Sequence, residues 1–349
     1  MNPIILAIDT SCDETAVAIS SGRRILSNVI ASQINIHKKW GGVVPHLAKR
    51  AHQDKIDHVL KQALKQAKIK PQQLQAIAVT FGPGLAPALE IGILKAKELT
   101  KKHQLPLISI NHMEAHLLSS FALNQKGNGP LKSYSKKIFP LLGLLVSGGH
   151  TQLVLVKSIG NYQLLGETLD DAAGEALDKL AKMLKLGYPG GPIIEIMAKK
   201  GHPDKIPLPV PMQHSKNLNF SFSGLKTAAL YTIQKTKLTK QFTYNMAASF
   251  QQAIALSLTT KLKKAIIQHQ PKTILLGGGV ISNLYIRSQL RQAVKPFNLP
   301  LHLPYSSKLL TDNAAMICLP AYFKYLNQDF VKNIDKLDRQ PSLSFNYSK

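Results

Sequence analysis

Residues 4–19 read IILAIDTSCDETAVAI, and residues 141–156 read LLGLLVSGGHTQLVLV. Each is an apolar run, a short polar turn and a second apolar run, the pattern of a buried strand, a tight turn and a returning strand. The same grammar in both halves implies an internal duplication. Outward from the first unit come a helix-like segment at residues 51–67, a strand at 76–80, a Gly82-Pro83-Gly84 turn and a helical stretch at 88–102. Outward from the second come a helix beginning around Asp170, a Gly-Pro-rich turn at 187–192, helices within 244–269, and a strand at 273–276 ending in Gly277-Gly278-Gly279. This alternation predicts an α/β protein of two duplicated lobes facing a cleft. Residues 124–137 are polar and rich in turn formers and read as the connection between lobes. The first lobe is then 1–123 and the second 138–311, with a helix near 312–326 packing back on the first and a polar tail over 327–349.

The chain has 349 residues, 44% of them hydrophobic and 18% charged, a composition that excludes a disordered or collagen-like chain. Its 44 Lys and Arg against 19 Asp and Glu leave a net charge of +25, a field that draws polyanions. Nucleic acid is the first partner to consider, although surface lysines also serve solubility alone. Cys12 and Cys318 are the only cysteines, so there is neither a disulfide framework nor a CxxC site, and a reducing compartment is expected. The apolar N-terminal run lacks a basic flank and is interrupted at Asp9, so no export signal is read there. Apolar stretches such as 138–146 fall short of the roughly 18 residues that span a bilayer. A soluble, cytoplasmic protein is expected.

His112 and His116 stand four apart in a helical-looking segment, which puts both imidazoles on one side, where they can share a metal. With 12 His in 349 residues, chance yields about 0.4 such pairs, so the spacing needs support. A zinc peptidase places its Glu directly after the first His; Glu114 is two residues on, about 200° around the helix. Asp312 lies in Thr311-Asp312-Asn313, which reads as a helix cap or as the completion of a metal site. The turns at 9–15 and 147–151 hold short hydroxyl, acidic and glycine residues whose N–H groups can approach a phosphate, and hairpins use the same residues. Asp170, Asp171, Glu175 and Asp178 crowd one acidic stretch; helix-dipole compensation accounts for the first two, and Asp178 is the better ligand candidate.

Together the segments DTSCDET (9–15), GGVVP (41–45), GPG (82–84), HMEAH (112–116), LVSGGHT (145–151), DDAAGEALDK (170–179), YPGGP (188–192), FSFSGLK (220–226) and TDN (311–313) closely resemble those of the tRNA N6-adenosine threonylcarbamoyltransferases, the TsaD/Gcp family. The resemblance runs from the first strand to about Phe323. It implies the actin-like ASKHA fold, two RNase H-like lobes with a nucleotide and metal cleft between them. It implies that His112, His116 and Asp312 bind one divalent metal, Fe2+ or alternatively Zn2+. It further implies that Leu145, Val146, Ser147, Gly148, Gly149, Asp178, Gly191 and Asn283 hold the substrate threonylcarbamoyl-AMP. The implied reaction moves the threonylcarbamoyl group onto the N6 amine of the adenosine beside the anticodon, in tRNAs reading codons that start with A. Asp13 and Glu14 are the acidic candidates for a base. The implied partners are tRNA, an inactive paralogue of the same fold, a small P-loop ATPase and the adenylate-forming enzyme, with no membrane. Lys38-Lys39, Lys49-Arg50, Lys101-Lys102, Lys136-Lys137 and Lys261-Lys263-Lys264 are candidate grips on RNA. The rival classes are a metalloendopeptidase, an ASKHA-type ATPase or kinase, and a non-catalytic paralogue. The intact His112, His116 and Asp312 argue against the last.

Overall fold

Strand β1 (Ile4–Asp9) lies at the centre of its sheet because almost every residue in it is apolar and both its faces are covered. In the computed structural model, which describes residues 2–133 and 135–345, β1 pairs antiparallel with β2 (Glu14–Ser21) and parallel with β4 (Ala76–Gly82). The neighbours β3 (Arg24–Ser32) and β5 (Leu107–Asn111) complete the order β3-β2-β1-β4-β5. The one-residue pairing Ile8↔Val17 and Ile8↔Val79 sets the register that leaves Asp9 at the end of β1. The helices α1 (Ile34–His37), α2 (Pro45–Ala67), α3 (Ala86–His103) and α4 (His112–Leu118) belong to this unit. On α2, Ile56, Val59, Leu60 and Ala63 recur at helical spacing and pack into the core with Ile91, Ala96 and Leu99 of α3.

The second unit repeats the plan. Strands β6 (Leu141–Val146), β7 (Thr151–Ser158) and β8 (Asn161–Glu167) form an antiparallel meander, and β9 (Thr273–Gly277) and β10 (Leu301–His302) add in parallel on the other side of β6. The order β10-β9-β6-β7-β8 is that of the first sheet read in the opposite direction, which establishes the duplication. Its helices are α5 (Ala173–Met183), α6 (Gly190–Ala198), α7 (Ser223–Gln234), α8 (Lys240–His269) and α9 (Leu284–Val294). The segment read as separate helices within 244–269 is one continuous helix, α8, because no Pro or Gly interrupts it.

The final helix, α10 (Ala314–Leu326), returns to the first unit and packs on β1 and α4. By compactness the chain divides into 1–134 with 303–349, and 135–302. The stretch 124–133 is tied to the first unit, since the Arg23 guanidinium donates to the carbonyls of Leu131 and Lys132 at 2.8 and 2.7 Å. Residues 303–311, read with the second lobe, also lie in the first unit. The stretch read as a polar tail is packed. Val331, Ile334 and Leu337 lie against the core, Leu343 is buried in it, and Gln340 N donates to Phe81 O at 2.7 Å. These apolar residues recur at multiples of three positions, the period of neither a strand nor an amphipathic α-helix, and backbone bonds also tie the segment down, so composition alone reads it as solvated. Among the described residues no helix is long and apolar enough to cross a membrane.

Candidate metal centre and glycine-lined turns

Strand β5 ends at Asn111, whose side-chain oxygen accepts from the N–H groups of Met113 and Glu114 at 2.8 and 3.2 Å and so caps α4. That cap starts the helix at His112, and every residue of α4 is buried. His112 and His116, one turn apart, meet edge to face with centroids 4.7 Å apart. The third group arrives from a distant part of the chain. Asp312 Oδ1 stands 3.4 Å from His112 Nε2 and 3.1 Å from His116 Nε2. Asn313, not Asp312, caps α10, accepting from Met316 N at 3.1 Å, which leaves the Asp312 carboxylate to the imidazoles.

The donor atoms of His112, His116 and Asp312 all lie within 4.8 Å of one another. Two imidazoles and a carboxylate form the donor set of a catalytic metal site, with positions left over for water or substrate. Asp9 Oδ1 sits 3.6 Å from the other ring nitrogen of His112, as an outer-shell carboxylate sits behind a metal-bound histidine. The Nδ1 atoms of His112 and His116 and Oδ2 of Asp9 are buried without a hydrogen-bond partner. Asp312 keeps 25% of its side chain exposed, so the cluster has one open side. The residues present fit a divalent ion. Without one, burial works against a charged His112 ring, but the carboxylates of Asp9 and Asp312 outweigh it and raise its pKa to about 10. Asp312 is itself held well below the usual carboxylate range: burial opposes this, and the His112 charge and both imidazole hydrogen bonds overcome it.

The turn after β1 carries Cys12, Asp13 and Glu14. Burial, then the charges of Asp13 and Asp312, push the Glu14 carboxyl well above its usual range, while Ser32 Oγ donates to Glu14 Oε1 at 3.3 Å. The Cys12 thiol is pushed up by burial first, then by the charges of Asp13, Asp312 and Glu14. Two residues that sequence reasoning did not single out hold this neighbourhood together. One is Asp9; the other is His52, fully buried on α2, whose Nε2 bonds Cys12 O at 3.0 Å and whose Nδ1 bonds Thr15 Oγ1 at 2.8 Å. A histidine on the apolar stripe formed by Ala48, Ala51 and Ile56 was the available signal.

In the second unit, Leu145 and Val146 are fully buried in β6, so their side chains support the following turn from below. That turn closes on itself through Ser147 N to His150 O at 2.8 Å. Gly148 and Gly149 face open space. The turn also sits on the start of α5, with Gly174 N donating to Ser147 O and Glu175 N to Gly148 O. Gly278, at φ +91°, lies so close to the Val146 carbonyl that a Cβ would overlap it. Asp178 Oδ1 accepts from Gly190 N at 2.7 Å and Gly191 N at 3.3 Å, fixing the start of α6. Asn283 is engaged twice: its oxygen caps α9 at Ile286 N, and its amide donates to Gln251 Oε1 at 2.6 Å.

Two five-stranded sheets of one topology place the chain in the duplicated actin-like ASKHA class. Solved structures agree. HypF from T. kodakarensis superposes with a TM-score of 0.58 at 13% identity, over 95% of this chain and 48% of that one. The ROK hexokinase of Thermus thermophilus gives 0.51 at 16% identity, over 93% and 99%. At such identities the likeness shows the fold alone. The chain belongs to the family TsaD, tRNA N6-adenosine threonylcarbamoyltransferase, whose sequence model matches residues 24–319. Relatives of that name share 45% identity over 322 residues in Thermosipho africanus, covering 92% of this chain and 94% of that one. In Protochlamydia amoebophila they share 45% over 347 residues, covering 97% and 96%.

Proposed function

We propose that this protein transfers the threonylcarbamoyl group of threonylcarbamoyl-AMP to the N6 amine of the adenosine next to the anticodon in tRNAs reading codons that start with A, releasing AMP. The observation that carries this reading is the family match across residues 24–319. His112, His116 and Asp312 would hold one divalent ion, and their donor set suits Fe2+ first, with Zn2+ as the alternative. When bound, such an ion supplies Lewis acidity toward carbamoyl or phosphate oxygens. Asp9, 3.6 Å behind Nδ1, would steady the His112 ring electrostatically with Nε2 toward Asp312.

In the transfer the amine nitrogen bonds to the carbamoyl carbon, the bond from that carbon to the phosphate oxygen breaks, and AMP leaves with the electron pair. The amine proton passes to a carboxylate of the Asp13–Glu14 pair; a Glu14 carboxyl raised above its usual range is a stronger base than an ordinary carboxylate once deprotonated. The N–H groups of Gly148 and Gly149 would cradle phosphate, Ser147 N being spent on closing the turn, with Asp178 and Asn283 fixing the helix starts beside Gly191 and Leu284. The expected partners are an inactive paralogue of the same fold, a small P-loop ATPase and the adenylate-forming enzyme, in the cytoplasm. A peptidase reading is disfavoured because Glu114 stands two residues after His112, about 200° around the helix, and not directly after it, where a peptidase places the base that activates metal-bound water.

The test is incubation of the protein and those partners with unmodified tRNA, threonine, bicarbonate and ATP, followed by nucleoside analysis. Threonylcarbamoyladenosine is expected; its absence from a complete reaction overturns the reading.

A further inference from the structure

Between Lys205 and Thr311 the sequence holds fourteen lysines and arginines and not one aspartate or glutamate. Helix α9 lies in this stretch. It buries Ile286, Leu290, Ala293 and Val294, and turns Arg287, Arg291 and Lys295 outward, four residues apart in succession. Lys295 keeps helical backbone angles as the C-cap, so the stripe continues through it. Successive cations are offset by about 40° and rise about 6 Å, giving a row about 12 Å long.

Three features separate this row from ordinary surface lysines. First, the chain has only six arginines among its 44 cationic residues, and two of them stand together here. A planar guanidinium fork matches phosphate oxygens in a way that an ammonium does not. Second, among the described residues no carboxylate pairs with any of the three. The acids near the N-terminal end are otherwise placed: Glu195 accepts from Leu284 N at 3.0 Å, and Asp204 lies by Tyr285. Third, helix-dipole compensation accounts for Arg291 and Lys295 in and after the last turn, but Arg287 sits near the positive end, where a cation is disfavoured. The dipole therefore gives no reason for a cation at Arg287.

We infer that the Arg287, Arg291 and Lys295 face of α9 docks the phosphate backbone of the tRNA substrate. The inference rests on the proposed function for the identity of the RNA. Three backbone contacts contribute about 2 to 3 to the slope of log affinity against log salt. They correspond to roughly 50- to 150-fold in affinity at about 0.15 M salt, relative to a 1 M reference.

The test measures anisotropy of labelled, unmodified tRNA over a salt series, with the partner proteins present. It compares wild type, the triple variant Arg287→Gln/Arg291→Gln/Lys295→Gln, and an equal charge change on the first unit, Lys61→Gln/Lys65→Gln/Lys68→Gln. Expected for the α9 variant are a slope lower by about 2 to 3 and a raised KM for tRNA, with kcat at saturating tRNA within about twofold. The Lys61 variant should keep its slope to within about one. A double variant, Arg287→Lys/Arg291→Lys, should keep the slope yet bind more weakly, which loss of folding would not produce. Equal slopes for wild type and the α9 variant, or equal losses in the two glutamine variants, overturn the inference while leaving the proposed function standing. Unchanged tRNA binding with loss of a protein partner also overturns it and reassigns the face to a protein contact. A wild type that neither binds nor modifies tRNA removes both readings.

Discussion

Glu14→Gln is the substitution that most sharply separates a proton-moving role from a binding role. The amide keeps the size of the side chain and an oxygen to accept from Ser32 Oγ, so the turn that carries it should keep its form. What it loses is the ability to take a proton. General acid–base groups contribute about 10² to 10⁴ in rate, or about 3 to 5 kcal/mol of barrier. The structure also sets a pH signature. A base must be deprotonated, so the rate rises with pH through the Glu14 pKa, which burial and the nearby Asp13 and Asp312 charges place well above the usual carboxylate range. An ion on Asp312 would offset that last contribution, but burial and Asp13 remain. The assay is single-turnover transfer from preformed threonylcarbamoyl-AMP to tRNA, followed across pH, with adenylate affinity measured separately. Glu14→Gln should lower the rate by 10²-fold or more, flatten the acidic limb and leave adenylate affinity within about threefold. Equal losses in rate and affinity, or a wild-type rate with an unchanged limb, would refute the base role.

Three further outcomes are expected. Wild type should retain about one divalent ion per chain through gel filtration, and His112→Ala or Asp312→Asn should lose it by elemental analysis, since each removes one of three donors. Gly82→Ala should lower stability by about 1 to 3 kcal/mol, because its Cβ would overlap the Gln340 carbonyl; thermal unfolding and faster proteolysis within 327–345 would show it. Asp170 accepts from the hydroxyls of Ser221 and Ser223 and from the N–H groups of Phe222 and Ser223, and these bonds outweigh partial burial to hold its carboxyl below the usual range. The stability it adds is therefore present above its unfolded value near about 3.9 and lost as pH falls through the lower folded value. Acid titration of unfolding should show wild type and Asp170→Ala converging at low pH, from a difference of about 1 kcal/mol near neutrality.

The centre of each sheet was legible because β1, β4, β6 and β9 are nearly continuous apolar runs, the mark of strands covered on both faces. The outer strands were not. β3 and β8 mix polar and apolar residues because they are only partly covered, and β10 is two residues long. At the metal centre, the i, i+4 spacing of His112 and His116 was visible in the chain, as was the possibility that Asp312 joins them. Amino-acid order alone determined the duplication, the helical histidine pair and the glycine turns, since these depend on local periodicity and steric freedom. Only the tertiary structure decided that Asp312 meets the imidazoles while Asn313 takes the helix cap, that Asp9 stands behind His112, that His52 braces the Cys12 turn, and that residues 331–343 pack on the first unit's core. Each of these joins groups tens to hundreds of positions apart, and contact at that separation is set by how the sheets and helices pack, which no local pattern records.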